Sequence, residues 1–293
     1  MAETDDLITT RVKVDPNLRL EHVVGQPMAV KCLRDLARRI KWPEVYATWG
    51  VSKPKAIALV GPPGTGKTLS LRALSNEIEC PLMEIRYEDF ATHLYDEAIK
   101  RLSTFKDRVD EIAKEHGHVL VFIDEADVFF QSRFGDNVHS SDEKKTNFFL
   151  RWIDGDLEGS DGFTLVASSN AWETVDPAMR RPGRFTKIEF KALSVEDVLE
   201  AIRVHVSLFE MKVKRKMFKS FDPSVLRPHL SEMTGADVKE ILERLLLDKA
   251  NKHLDLLLND EKVVPELIDE TEMIETIKGY LLDNKSSKRG VGF

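Results

Sequence analysis

Eight residues carry the densest chemistry in this sequence: Gly61-Pro62-Pro63-Gly64-Thr65-Gly66-Lys67-Thr68. They fit G-x-x-x-x-G-K-[ST], the spacing of a loop that wraps phosphate groups. Glycines here let backbone N–H groups turn inward onto phosphate oxygens, and a helix starting at the loop's end adds partial positive charge. Lys67 supplies a compact positive charge for β- and γ-phosphates, and the Thr68 hydroxyl can ligate Mg2+. These eight residues with Leu69 form the candidate nucleotide-binding run. Such a loop binds a nucleoside triphosphate; cleaving it takes carboxylates, and Asp124-Glu125 supplies a pair. Asp124 suits the Mg2+ shell. Glu125 suits a base that orients and deprotonates an attacking water.

Both groups need a rigid frame. Ala56-Ile57-Ala58-Leu59-Val60 reads as a buried strand, and Leu69 to Leu74 repeats leucine at helical spacing, so the loop joins a strand to a helix N-terminus. Five apolar residues, Val119 to Ile123, form a second buried strand. It ends in Asp124-Glu125, at the carboxyl edge where open α/β sheets bind ligands. Leu82-Met83-Glu84-Ile85 reads as a further strand, and 95–114 as a charged helix. The polar run 131–146 is expected to be a mobile loop. Helical character returns over 148–153 and stops at Asp154-Gly155. Asn170 follows another apolar strand, which brings its amide to the same edge. Arg180, Arg181 and Arg184 flank the turn signal Pro182-Gly183. Ser194-Val195-Glu196-Asp197 is a helix start. Beyond it Leu199, Ile202 and Val206, then Val238, Ile241 and Leu245, recur at helical spacing.

In this order the stations resemble those of the AAA ATPases, the AAA family proper within the AAA+ class. Val23-Val24-Gly25-Gln26 resembles the family's adenine-packing segment, which implies nucleotide contacts for Val24 and Gly25; His22 stands where an acidic residue is usual. Pro43-Glu44-Val45-Tyr46 and Trp49-Gly50-Val51 resemble the lead-in to the P-loop. Leu165 to Asn170 resembles the sensor strand, with Asn170 as the sensor. Asp176 to Phe185 resembles the arginine-finger segment, which implies that Arg181 and Arg184 reach the γ-phosphate of a neighbouring subunit. Thr234-Gly235-Ala236-Asp237 resembles the lid motif whose Gly235 and Ala236 approach the nucleotide, and His205 falls where the family often carries a nucleotide-contacting histidine.

The resemblance implies an α/β P-loop domain with a parallel sheet, followed by a small all-α lid. It implies hydrolysis of ATP with Mg2+ in a self-associated ring, a hexamer by family, acting on protein substrates or complexes. Lys67, Glu125, Asn170, Arg181 and Arg184 would be its catalytic residues. The expected boundaries are a polar tail over 1–20, the ATPase domain over 21–191, the lid over 192–283 and a C-terminal tail over 284–293.

Composition narrows the partners. A net charge of -7 argues against a general binder of phosphate backbones. The two cysteines, Cys32 and Cys80, cannot build a disulfide framework, which points to reduced thiols and a cytoplasmic setting. No apolar run reaches the length of a membrane span, and Met1 to Asp6 is acidic, unlike a signal peptide. About twenty residues precede the module, so partner specificity is expected from surface loops, the termini or another protein. The pore-facing segment departs from the family. Phe90-Ala91-Thr92-His93-Leu94-Tyr95 has aromatics and no glycine at the expected place. Phe90, His93, Leu94 and Tyr95 are candidate polypeptide contacts, and Leu94 and Tyr95 equally fit core positions at a helix start. The basic run Lys212 to Lys216 reads as a solvated lid loop. A motor on nucleic acid and a nucleotide-gated scaffold remain open beside the protein remodeller.

Overall fold

The computed structural model describes residues 10–86, 95–131, 140–159, 161–220, 222–230, 233–258 and 266–289. They divide into two compact units, Met1–Pro62 with Lys67–Lys191, and Pro63–Gly66 with Ala192–Phe293.

The first unit is built on a six-stranded sheet. Its strands are β1 (Thr10–Arg11), β2 (Ala56–Val60), β3 (Leu82–Ile85), β4 (Val119–Ile123), β5 (Phe163–Ser169) and β6 (Phe185–Glu189). Their spatial order is β1-β3-β4-β5-β2-β6, with β1 antiparallel and the other five parallel. β2, β4 and β5 are buried along their whole length. That burial explains their unbroken apolar runs, since a parallel sheet is covered on both faces. The covering helices are α1 (Pro27–Lys41), the one-turn α2 (Pro43–Ala47), α3 (Lys67–Ile78), α4 (Tyr95–His116), the short α5 (Ala126–Phe129) and α6 (Ser140–Asp154).

An aromatic cluster locks α6 behind β4 and β5. Phe129, Phe130 and Phe149 meet edge to face with centroids 4.9 to 5.6 Å apart, and Trp152 stacks on Phe163 at 4.8 Å. Such pairs add about 0.5–1.5 kcal/mol each beyond the area they bury.

Two expectations change here. Residues 140–146 are helical, the first half of α6, where a loop was expected; 132–139 lie outside the described residues. Serines followed by acidic residues favour a helix start, and the buried Phe148, Phe149 and Trp152 hold the helix down. Residues 10–20 are also more than a tail. β1 pairs with β3, the Val12 N–H donates to Leu82 O at 2.9 Å, and Leu18 and Leu20 are buried. Two leucines in a short polar run were enough to anchor it.

The second unit is helical: α7 (Val195–Val213), α8 (Gly235–Leu258) and α9 (Glu270–Arg289). Two capping boxes define it. Ser194 and Asp197 exchange hydrogen bonds at the start of α7, as the sequence indicated. Thr234 and Asp237 do the same before α8. Each is worth about 1 kcal/mol. Asp237 also accepts from the Tyr280 hydroxyl at 2.5 Å, which ties the α8 cap to α9. α9 runs through to Arg289, past the expected start of the tail, because no proline or glycine interrupts 284–289.

Candidate active site

The P-loop leaves β2 between two neighbours, β5 and β6, and each of them constrains it. Gly61 N–H donates to Ser169 O of β5 at 3.2 Å. A Cβ on Gly61 would lie 2.2 Å from Phe190 O, just past β6, so no other residue fits there. Gly64, at φ +69°, sits with the second unit, and there a Cβ would lie 2.4 Å from Thr234 Oγ1. Gly235 N–H donates to Gly64 O at 3.0 Å. The Thr-Gly-Ala-Asp motif thus has a local cause: threonine and aspartate form the cap, and glycine admits a close backbone. Thr68 and Leu69, both half-buried, are the second and third residues of α3.

Lys67 is 8% exposed, and its ammonium donates to Gly61 O, Pro62 O and Asn170 Oδ1 at 2.7, 2.8 and 2.7 Å. Burial holds its pKa below the ordinary lysine value, and Asp124 and Asp127 oppose that shift. Lysine can only donate, so the Asn170 atom facing it is the oxygen, and the amide NH2 is left as the donor. Sheet order explains why these two residues meet. β5 lies between β2 and β4, so Asn170 leaves the sheet between the strand that feeds the P-loop and the strand that ends in Asp124.

Register places the carboxylates. Ile123 pairs with Ala167, which sets Asp124 beside Ser168, and the Ser168 hydroxyl donates to Asp124 Oδ1. The Glu125 N–H donates to the same oxygen at 3.0 Å. Glu125 itself adopts φ 49°, ψ 49°, a left-handed conformation rarely taken by residues other than glycine. Its carbonyl accepts from Val128 and Phe129, so α5 holds the strain in place. Asp127 Oδ1 is buried without a hydrogen-bond partner among the described residues. A buried, unpartnered carboxylate oxygen close enough to raise the Lys67 pKa fits an edge built to take a cation.

The remaining candidates are placed as follows. Val24 and Gly25 precede α1 and are held by Gln26, whose buried amide donates to Lys191 O at 2.7 Å and accepts from Lys191 N–H at 2.9 Å. Arg180 donates to Val175 O within its own loop. Arg184 grips Asp154 with two hydrogen bonds of 3.2 and 2.8 Å and also donates to Ala178 O. Arg181 is exposed, and no other described side chain pairs with it. In the second unit His205 lies in α7, and Gly235 and Ala236 open α8. Burial, then Lys239, lowers the His205 pKa to about 4, so it is neutral at pH 7. Phe90, His93 and Leu94 lie outside the described residues, and Tyr95 is described only as the first residue of α4.

Three residues that hold candidate positions in place had no role in the sequence reading: Gln26, Ser168 and Asp154. Gln26 stood in a quoted motif, and Asp154 was read as a helix end. Ser168 could have been found from the register of β4 on β5.

The family model described as "ATPase family associated with various cellular activities (AAA)" matches residues 57–193. A cell division cycle protein 48 homolog of Archaeoglobus fulgidus is 30% identical over 265 residues, 90% of this chain and 34% of that protein. An ATP-dependent zinc metalloprotease FtsH of Aquifex aeolicus is 27% identical over 95% of this chain and 42% of its own length. A proteasome-activating nucleotidase of Saccharolobus islandicus is 28% identical over 81% of this chain and 59% of its own. The chain therefore spans about a third to three fifths of the length of these relatives. A P-loop wedged against β6, Asn170 accepting from Lys67 and paired carboxylates at the end of β4 agree with the matched span: the chain belongs to the AAA family, and its AAA module is an ATPase module that works with ATP and Mg2+.

Proposed function

We propose that the chain acts as the motor of a ring that uses ATP hydrolysis to remodel, unfold or disassemble protein substrates or complexes. One observation carries this reading. The lysine, asparagine and carboxylates converge in one chain, while Arg181 stands exposed on the loop after β5. Phosphoryl transfer gains most from positive charge placed where the transition state becomes more negative, and an outward arginine can supply that to a neighbour.

The P-loop N–H groups and Lys67 would hold the β- and γ-phosphates, with Val24, Gly25, His205, Gly235 and Ala236 as further nucleotide contacts. Thr68 and Asp124 would hold Mg2+, which supplies charge neutralisation between the phosphates. Glu125 would take the proton from the attacking water, and its strained backbone fixes where that carboxylate starts. Asn170 would use its free NH2 to orient the water or the γ-phosphate. Arg184, expected as a second finger, is held within its own chain by Asp154, which would steady the loop that carries Arg181. The relatives' names, ATP-dependent metalloprotease and proteasome-activating nucleotidase, support a protein as the object of the work. No helix among the described residues is long and apolar enough to cross a membrane.

Mixing two inactive chains tests the ring. Arg181→Ala keeps its own P-loop and lacks the finger; Lys67→Ala has the finger and lacks the P-loop lysine. Together they should regain part of the turnover that each has lost. Turnover per chain that stays constant on dilution, from a species shown to be a monomer, would overturn this reading.

A further inference from the structure

α9 docks on α8 through an apolar seam. Met273, Ile277 and Tyr280 recur at i, i+4 and i+7, and all three are buried. Ion pairs bracket the seam: Lys249 with Glu272 at 2.7 Å and Arg244 with Asp283 at 2.8 Å. The Arg244 guanidinium also lies 5.7 Å from the centre of the Tyr280 ring, which holds the ring's orientation. A phenylalanine at 280 would fill the same space, so the hydroxyl is not what docks the helix.

That hydroxyl lies 2.5 Å from Asp237 Oδ1 and 3.3 Å from Glu240 Oε2. It has one proton to give, and the shorter contact takes it. Asp237 turns its other oxygen to the start of α8: Oδ2 accepts from the Thr234 N–H and the Thr234 hydroxyl, both at 2.7 Å. One carboxylate is thus held from two sides, by α9 and by the turn before α8. The turn bears on the phosphate loop. Gly235 N–H donates to Gly64 O at 3.0 Å, and Thr234 packs so closely that a Cβ on Gly64 would overlap its side chain. Gly64, Thr234, Asp237 and Tyr280 all belong to one compact unit.

We infer that Tyr280 is a positioning residue for the phosphate loop: its hydroxyl fixes the Asp237 carboxylate and, through the Thr234-Gly235 turn, the place of Gly64. The inference rests on the proposed nucleotide contacts of the P-loop and Gly235. A loop already held in its binding shape loses less freedom when the phosphates arrive, so the hydroxyl raises affinity for ATP. Glu125 and Asn170, proposed for the chemical step, belong to the other unit. The effect therefore falls on Kd and KM and leaves kcat nearly unchanged. Linkage makes the effect mutual: if the Tyr280 contact favours ATP, ATP favours the contact, and α9 registers an occupied loop.

Binding of a fluorescent ATP analogue with Mg2+, steady-state kinetics and melting temperature, all on the full chain, test this. Tyr280→Phe should raise Kd and KM about five-fold or more, with kcat within about two-fold. Ile277→Val trims the same seam one turn away and keeps the hydroxyl; it should lower the melting temperature and leave Kd alone. Adding Tyr280→Phe to Asp237→Asn should change Kd by less than about two-fold, since the hydroxyl's partner is already altered. Mg2+–ATP should slow amide exchange over 276–284 in the wild type, and less so in Tyr280→Phe. If Tyr280→Phe does not fold, Asp237→Asn alone should show the rise in Kd. An unchanged Kd in Tyr280→Phe, or an equal rise in Ile277→Val, overturns the inference and leaves the hydroxyl a stabiliser of α9. A full five-fold effect on top of Asp237→Asn, or equal ATP protection in both chains, overturns it too. Wild-type ATP binding by Lys67→Ala overturns the nucleotide site itself; lost binding by Lys67→Ala beside wild-type binding by Tyr280→Phe overturns this inference alone.

Discussion

The roles proposed for Glu125, as base, and for Lys67, as phosphate ligand, are separable, and substitution should separate them. Glu125→Gln keeps size and hydrogen bonding and removes the base, so ATP should still bind while turnover falls roughly 10²-fold or more. Lys67→Ala removes the charge that three protein acceptors now share and that the proposed phosphate contacts would need, so binding itself should go. A fluorescent ATP analogue measures the first quantity and phosphate release the second; wild-type turnover by Glu125→Gln would remove it from the base role. That Lys67, Asp124 and Asn170 come to one edge of the sheet was legible in the sequence, because each follows or ends an unbroken apolar run that reads as a buried strand. The partners were not. That Ser168 donates to Asp124 depends on strand register, and that Asp154 takes Arg184 depends on α6 ending beside the finger loop.

At the scale of elements, buried polar links hold the sheet's amino-terminal edge. Lys53 Nζ lies 3.2 Å from His118 Nδ1, and His118 Nε2 lies 3.2 Å from Thr164 Oγ1, which donates to Pro54 O at 3.4 Å. A carbonyl only accepts, so the threonine proton points to Pro54, the Nε2 proton points to threonine, and Nδ1 accepts from lysine. Burial first, then Lys53, pushes the His118 pKa down to about 3 from 6.5. The unfolded chain therefore binds this proton before the folded one does. The stabilisation is complete above about pH 6.5 and is lost as pH falls toward 3, by about 1.4 kcal/mol per pH unit. Urea midpoints between pH 6.5 and 5 should fall for the wild type and fall less steeply for His118→Asn; equal slopes would show that His118 is not the group. Most of these elements were legible: the all-apolar strands, the Ser194 cap and the helix before Gly155 follow from local pattern. The start of α6 and the anchoring of 10–20 were not, because tertiary burial of Phe149, Leu18 and Leu20 decides them.

Across the whole molecule, one strand joins two regions described separately. β5 opens at Phe163 and Thr164, and Thr164 belongs to the polar chain that includes Lys53, a residue that lines a cavity of about 390 Å3 with Arg39, Pro43 and Val51. It closes at Ser168 and Ser169, one step from Asn170. All seven residues are buried, and parallel neighbours hold it on both sides, so it cannot bend or slip by itself. A strand of this length is about 20 Å of stiff backbone. A displacement at the Thr164 end would be carried along this strand to the end beside Asn170. Thr164→Val, which keeps the shape and cuts the polar chain, should therefore shift ATP turnover several-fold from that distance, with KM and kcat measured beside the melting temperature. Unchanged turnover from a destabilised protein would confine Thr164 to folding.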